Sequence, residues 1–268
     1  MEMKQFQDEF LVIKKDLASY IFRITGHLQD TEDLVQDTYL RAAKSINTFQ
    51  GKSSLKTWLF TIATNITRDH FRAKKRWSTN CMNNASDDAN KHPELIDKFI
   101  SIHRGESIPG KFEIREHINF CFTCMAKTLP IEQQVAIILK DVYGFKISEI
   151  IEILGLSEGK TKHAIKGGRE MLINIFENKC ALVSKQGVCY QCSELNGILN
   201  PKQDQQQELL KIKMVREANK GRTKEDLYKL RTELVKNIDP LNAQSTNLHV
   251  YFLSLMPHYS DNKELSPR

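Results

Sequence analysis

No apolar run in this chain is long enough to cross a bilayer. Its first residues, MEMKQFQDEFLVIKKDL, are acidic and amphipathic, where a secretory leader is basic and then apolar. The expectation is a cytoplasmic protein with no membrane partner, in which the six cysteines are thiols or metal ligands rather than disulfides. Asn65-Ile66-Thr67 fits a glycosylation pattern, which means nothing without secretion. There is no internal repeat. No Ser/His/Asp set, paired carboxylates or His-Glu-x-x-His arrangement stands out, so the residues point away from an enzyme. Gly159-Lys160-Thr161 looks like the end of a phosphate loop. That pattern needs a glycine where Leu154 stands, and the residues before it read as a helix, not a strand.

What is present is helix and positive charge. The 268 residues allow one to three domains, each able to bury a core. The net charge is +6, and 27% of residues are charged. That mild basicity is concentrated locally and permits a polyanionic partner. The most informative stretch is Ser53–Trp77, SSLKTWLFTIATNITRDHFRAKKRW. Leu55, Trp58, Leu59, Ile62, Ala63 and Ile66 recur at helical spacing and form an apolar stripe. Ser53 or Ser54 can cap the helix start. Beyond Ile66 come Arg68, Arg72, Lys74, Lys75 and Arg76, with Phe71 and Trp77 among them and Phe60 off the stripe. Such an end suits a nucleic-acid strand, because cations meet phosphates and rings stack on unpaired bases. It suits a solvated basic helix end equally well. Trp58, at core spacing, reads as packing.

The rest of the chain is helical too. Phe6 to Thr25 reads as a helix ended by Gly26. Asp30 or Thr31 can cap a second, TEDLVQDTYLRAAKSI, with Asp33, Gln36, Asp37 and Arg41 on its outer face. Ser78–Lys91 is rich in Asn, Asp and Ser and reads as a linker. Ile114–Lys127 is a helix, Leu129-Pro130 starts another, and Gly144 turns the chain. Ile147–Leu154, Gly155 and a Ser157-capped helix to about Phe176 make a helix-turn-helix candidate, or else an ordinary helical hairpin. Its second helix would present Lys160, Lys162, His163 and Lys166. Pro201–Asn219 and Thr223–Asn237 read as two further helices, and the polar end after Ser260 as frayed.

Taken together, TEDLVQDTYLRAA, the run Phe49 to Asn65, and Leu129-Pro130, Gly144-Phe145, Glu149-Ile150 and Leu154-Gly155-Leu156-Ser157 resemble a bacterial sigma factor of the extracytoplasmic-function (ECF) type. The resemblance covers about residues 6–77 and 115–176. It implies an all-α fold: a sigma region-2-like domain over 1–78, a flexible linker over 79–111 and a region-4-like helix-turn-helix domain over 112–178. A helical extension of unknown role would occupy 179–268. It implies core RNA polymerase and promoter DNA as partners, an anti-sigma factor as a candidate third, and no catalysis. Asp33, Gln36, Asp37 and Arg41 would dock on the polymerase. Phe49, Lys52, Lys56, Asn65, Arg68, Arg72, Lys75 and Arg76 would hold the opened downstream promoter element. Lys160, Lys162, His163, Lys166 and Arg169 would read the upstream element. One departure stands out: Ala164 and Gly167-Gly168 occupy positions where the family carries basic or helix-forming residues, so upstream contacts are expected to be weaker or displaced.

The cysteines stay open. Cys121 and Cys124 form one CxxC and Cys189 and Cys192 another, with Cys180 nearby. Together the pairs could hold zinc if the fold joins them. They are too far apart in sequence for a compact zinc ribbon, and three-residue spacing on a helix also marks a buried face. A redox-responsive pair and plain thiols are the other readings. Lys185 stands where a zinc-type anti-sigma motif has histidine. Two other classes compete with a sigma factor: a stand-alone helix-turn-helix regulator, and a redox- or zinc-sensing interaction protein. Regulators of the first kind seldom carry a second, melting-type module.

Overall fold

A computed structural model of the chain describes residues 1–72, 76–92, 112–185, 187 and 189–261, with Glu94, Asp97 and Ser101 between them. Every element named below is a helix or a helical turn. The one extended pairing among the described residues is an isolated parallel bridge between Cys180 and Cys189. The chain divides into two compact units that interleave in sequence. Unit 1 holds Met1–Arg76 and Leu129–Arg169, and unit 2 holds Trp77–Thr128 and Glu170–Arg268.

Unit 1 begins with α1 (Met3–Thr25) and α2 (Leu28–Ser45), joined by Gly26 and His27. Gly26 takes the left-handed conformation at φ 65° and returns its N–H to the Phe22 carbonyl, a conformation a Cβ would resist. The start of α2 differs from expectation. His27 is the cap, its Nδ1 accepting from the Asp30 N–H at 3.2 Å, so Asp30 lies inside the helix and supplies the acidic first turn. Thr31 instead turns inward, its hydroxyl 2.8 Å from that of Thr25.

Helix α3 (Leu55–Phe71) starts as the sequence suggests, the Ser54 hydroxyl accepting from the Thr57 N–H at 3.0 Å. It is buried on more than one face. Leu55, Leu59, Ala63 and Ile66 face inward, and so do Thr57, Phe60, Thr64 and Thr67. Two partners explain this: α3 packs against α1 and α2, and also against α5 of the later segment (Ile147–Leu154). That segment opens with α4 (Ile131–Ile137), runs through a π-helical turn (Ile138–Val142), and reaches α5 after Gly144. Phe60 lies 4.8 Å from the Tyr20 ring, 5.7 Å from Tyr143 and 4.9 Å from Phe145, centroid to centroid. Fully burying such a side chain contributes about 1.5–3 kcal/mol. The Tyr20 hydroxyl is satisfied by Thr64 at 2.6 Å. After Gly155, at φ 63°, α6 (Glu158–Lys179) begins, and its residues to Arg169 belong to this unit.

Unit 2 contains a helix in the stretch read as a linker. Cys81–Lys91 is helical, with Cys81 and Met82 buried and Asp88 accepting a hydrogen bond from the Tyr259 hydroxyl at 3.0 Å. The polar composition hid one apolar face and a distant partner, the helix Thr246–Ser260. The core gathers around Ile114–Ala126, whose Phe120 stacks on His249 at 5.0 Å. Ala181–Ser184, Gln191–Leu199, Gln205–Leu210, Lys213–Asn219 and Lys224–Lys236 complete the unit. The expected helix Pro201–Asn219 is thus two short helices, and its first residues form a turn. Among the described residues no helix is long and apolar enough to cross a membrane.

Candidate nucleic-acid interface

The outer face of α2 is open. Asp33, Gln36, Asp37 and Arg41 are all exposed, at the three- and four-residue spacing that puts them on one side. Leu40, 54% exposed, sits among them. A leucine beside four polar side chains is a surface suited to another protein, and sequence periodicity alone did not single it out. The inward side of the same helix carries Leu34, Val35, Thr38 and Ala42, so the outer residues are not needed for the fold.

The basic end of α3 is more occupied than its sequence suggests. The Arg68 guanidinium donates to the Leu154 carbonyl at 3.1 Å and reaches Glu132 at 3.4 Å. Arg76 donates through Nε to the Leu129 carbonyl at 2.6 Å and through an η nitrogen to Gln134 Oε1 at 2.5 Å. Burial lowers its pKa to about 10, against the opposing pull of Glu132. Lys56 pairs with Asp16 at 2.6 Å and lies over the rings of Phe60 and Phe145. Arg72, by contrast, is exposed, with Asp69 at 3.9 Å. Asn65 and Lys52 are exposed, and Phe49 is half-buried, its ring 5.1 Å from Trp58. Lys74 and Lys75 lie outside the described residues.

In the helix-turn-helix segment, Lys160, Lys162, His163 and Lys166 are exposed on α6. Lys162 pairs with Glu158 at 2.6 Å within the helix. Ala164, Ile165 and Thr161 face inward. Arg169 is held differently: it forks onto Asp141, its Nε 2.8 Å from one carboxylate oxygen and an η nitrogen close to the other. Asp141 is 8% exposed, so this pair ties α6 to the π-helical turn. The two glycines have a packing reason. A Cβ on Gly168 would stand 2.8 Å from Ile137 Cγ2 and 3.2 Å from the Gln133 carbonyl. Gly167 faces only the amide end of Gln133, at 3.1 Å. The departure from the family pattern is therefore at the helix's inner face, where α6 crosses close to α4, and the outward lysines are unaffected by it.

Three of the cysteines singled out as candidate metal ligands come together in unit 2. Cys121, Cys189 and Cys192 line one cavity, joined there by Cys180. Cys124 does not: it faces Cys81 and Met82, with its Sγ 3.6 Å from the Met82 sulfur. Cys180 was visible in the sequence but had no CxxC spacing to mark it. Among the described residues, no three His, Cys, Asp or Glu side chains meet closely enough to hold a single metal ion.

Comparisons with known proteins fall on the same segments. Residues 13–77 match the model of Sigma-70 region 2, and residues 119–172 match that of Sigma-70, region 4. The ECF RNA polymerase sigma factor SigG of Mycobacterium tuberculosis is 30% identical over 171 residues, covering 59% of this chain and 45% of that protein. The ECF RNA polymerase sigma factor SigX of Bacillus subtilis is 27% identical over 168 residues, 62% of this chain and 81% of that one. The chain thus spans under half the length of the first of these relatives. Among solved structures, the sigma factor RpoE of Bartonella quintana, in complex with the anti-sigma factor NepR, is 22% identical. It covers 65% of this chain and 98% of that one, with a TM-score of 0.44.

Proposed function

We propose that this chain is a sigma factor of the ECF type, which binds core RNA polymerase and directs it to promoters. The observation that carries this reading is that both a region 2 and a region 4 occur in one chain, in that order. A stand-alone helix-turn-helix regulator has no need of the first. The exposed face of α2, with Asp33, Gln36, Leu40, Asp37 and Arg41, is the polymerase-docking surface. The loop before α3, with Phe49 and Lys52, together with Asn65 and Arg72, faces the opened downstream strand. Lys160, Lys162, His163 and Lys166 of α6 face the upstream element.

Unit 1 adds a condition to this reading. Arg68 and Arg76 hold backbone carbonyls and side chains of the segment Leu129–Arg169, and Thr57 donates to Glu149 at 3.1 Å. These groups serve promoter phosphates only after those bonds are exchanged, so α3 and α5 separate when the protein engages DNA. Arg169, committed to Asp141, acts as a brace for α6 and not as a reader of bases. The protein performs no chemistry of its own in this scheme, works in the cytoplasm beside the polymerase, and offers the same faces to an inhibitory partner of the anti-sigma kind.

Gel filtration of the full chain mixed with core bacterial RNA polymerase tests the reading. Co-elution is expected, and Asp33→Lys with Asp37→Lys should abolish it while leaving the helical content unchanged. A folded chain that stays separate from the polymerase yet binds DNA alone would overturn it in favour of the stand-alone regulator.

A further inference from the structure

Unit 2 contains a cavity of about 200 Å³ whose wall is drawn from five stretches of chain. The helix Ile114–Ala126 supplies Ile118, Cys121 and Met125 at the three- and four-residue spacing of one face. The last turn of α6 adds Phe176 and Lys179. The helix Cys81–Lys91 adds Met82 and Asp87, and Lys224–Lys236 adds Arg231. The segment after α6 closes the remaining side and is tied to its neighbours. The Cys189 N–H donates to the Lys179 carbonyl at 2.8 Å, and the Ala181 N–H donates to the Cys189 carbonyl at 3.2 Å. A Cβ on Gly187 would fall 2.6 Å from the Lys179 carbonyl oxygen, so this close approach admits only glycine. Packed interiors keep few voids larger than a water molecule. A space of this size, apolar for the most part and with a few polar groups at fixed places, has the make-up of a ligand site.

The charges around it limit what it can hold. Arg231 is the buried one, at 1% exposed. Its guanidinium carbon lies 3.9 Å from the centre of the Phe176 ring, and one η nitrogen donates to Cys180 Sγ at 3.4 Å. Among the described residues no carboxylate pairs with it. A sulfur and a ring face do not use the parallel donors of a guanidinium as a carboxylate would. The other charged groups lie nearer solvent. Asp87 is exposed, and Lys179 is half-buried, donating to the Thr79 carbonyl and to Asn80 Oδ1. His117 also faces the cavity, but its ring is engaged by Gln191 and His249, and burial keeps it neutral. Arg231 and Lys179 against Asp87 leave one positive charge. The site therefore favours one negative charge and opposes a second. The body of the ligand meets Met82, Ile118, Met125 and Phe176, whose thioethers and ring adapt to ring or chain alike. An apolar cavity of about 150 Å³ takes up benzene, so this one has room for a ring or short chain that carries a carboxylate.

We propose that the unit 2 cavity is a binding site for a small monocarboxylate with an apolar body, its carboxylate on Arg231 and its body between Ile118, Met125 and Phe176. Phosphates and dicarboxylates are disfavoured by Asp87, and a cation finds Arg231 and Lys179 against it. Asp87, Lys179 and Arg231 lie outside both family matches, which cover residues 13–77 and 119–172, so the site is not a feature of the matched domains. It stands independently of the promoter reading.

The test is calorimetric titration of the full chain, kept reduced, with 3-phenylpropionate and with octanoate. At least one should bind with one site per chain. 3-Phenylpropanol and phenethylamine, which keep the ring and lose the carboxylate, should bind about tenfold more weakly or not at all. 2-Benzylsuccinate, with a second carboxylate, should also be weaker. Arg231→Gln should abolish binding of the monocarboxylates. Should that variant fail to fold, the wild-type chain supplies the second readout. Cys121 and Cys189 are the half-exposed thiols of the cavity, whereas Cys81 and Cys124 are buried away from it. Alkylation of Cys121 and Cys189 should slow in step with ligand occupancy, with no change at Cys81 and Cys124. No binding of either carboxylate overturns the proposal, as does binding that leaves Cys121 and Cys189 unprotected. Equal or tighter binding of the alcohol, the amine or the dicarboxylate overturns the assignment of the carboxylate to Arg231.

Discussion

The two units bury different kinds of group. Unit 1 closes over aliphatic and aromatic residues, and several of its interior hydroxyls are paired, as in Tyr20 with Thr64 and Thr25 with Thr31, while those of Thr67 and Thr161 have no partner. Arg23 is buried there at 2% exposed, while Arg68 and Arg169 sit toward the rim on a carbonyl and a carboxylate. Unit 2 buries titratable groups in its middle. His117 and His249 lie 3.4 Å apart, nitrogen to nitrogen, among Phe112, Phe120 and Phe252. Thiols and an arginine line the cavity beside them. The first unit should therefore respond to packing changes and hardly to solution conditions. The second should respond to pH.

The largest test of that contrast is Phe60→Ala. It removes the ring that Tyr20, Tyr143 and Phe145 surround, at a cost of about 3–5 kcal/mol. Urea unfolding should show the loss with the same size at pH 7 and pH 5. A loss that changes with pH would break the distinction from the unit 1 side.

Next comes acid. Burial lowers the His117 pKa to about 4, partly opposed by Gln191. Between that value and the unfolded value of about 6.5, the unfolded chain binds a proton that the folded chain does not. Stability then rises with pH across the window. It is lost as pH falls from about 6.5 to about 4, by roughly 3 kcal/mol in all. Amide exchange in unit 2 peptides should quicken over that range, and His117→Gln should flatten the response. Equal acceleration in unit 1 peptides would count against the assignment.

A smaller effect separates the two glycines of α6. Gly168→Ala forces a Cβ against Ile137 and should destabilise unit 1 by about 1–3 kcal/mol. Gly167→Ala meets only the movable end of Gln133, and should be neutral or stabilising by up to about 1 kcal/mol through helix propensity. Thermal unfolding of both variants decides this, and a reversed order would mean that α6 does not cross α4 closely.

The smallest change in stability is expected from Lys160→Ala with Lys166→Ala, both exposed. Stability should move by less than about 0.5 kcal/mol. The dependence of promoter affinity on salt should lose about two units of logarithmic slope. An unchanged slope would remove these lysines from the DNA surface.

Local patterning made the helices of unit 1 legible. Leu55, Leu59, Ala63 and Ile66 of the stripe, the Ser54 cap and the glycines at 26, 144 and 155 appear where the sequence places them, while Trp58 and Ile62 are half-buried. What stayed hidden were partners distant in sequence. Phe60 is off the stripe because α3 has a second neighbour, and the residues that cover it, Tyr143 and Phe145, follow far behind. Arg169, which the sequence groups with the DNA-facing cations, forks onto Asp141, a pairing no local pattern shows. The polar stretch after Ser78 contains a helix because Cys81, Met82 and Asp88 find cover. At the thiols, CxxC spacing suggested Cys124, yet its neighbours are Cys81 and Met82, and the fourth member of the cavity is the unpaired-looking Cys180. Charge and spacing name candidates, but long-range contacts decide which of them face outward.

The interleaving of the units carries a consequence for synthesis. Unit 1 needs Leu129–Arg169 as well as its first residues, and unit 2 needs Glu170 onward as well as Trp77–Thr128. On a ribosome adding about 5–20 residues per second, neither unit can close when its first piece emerges. Phe112, Phe120 and Phe122, buried in the finished protein, wait uncovered until the last third of the chain arrives. A nascent chain with such an interval is a natural client for holding chaperones. A premature stop near residue 178 would release a product whose second unit has no means of closing.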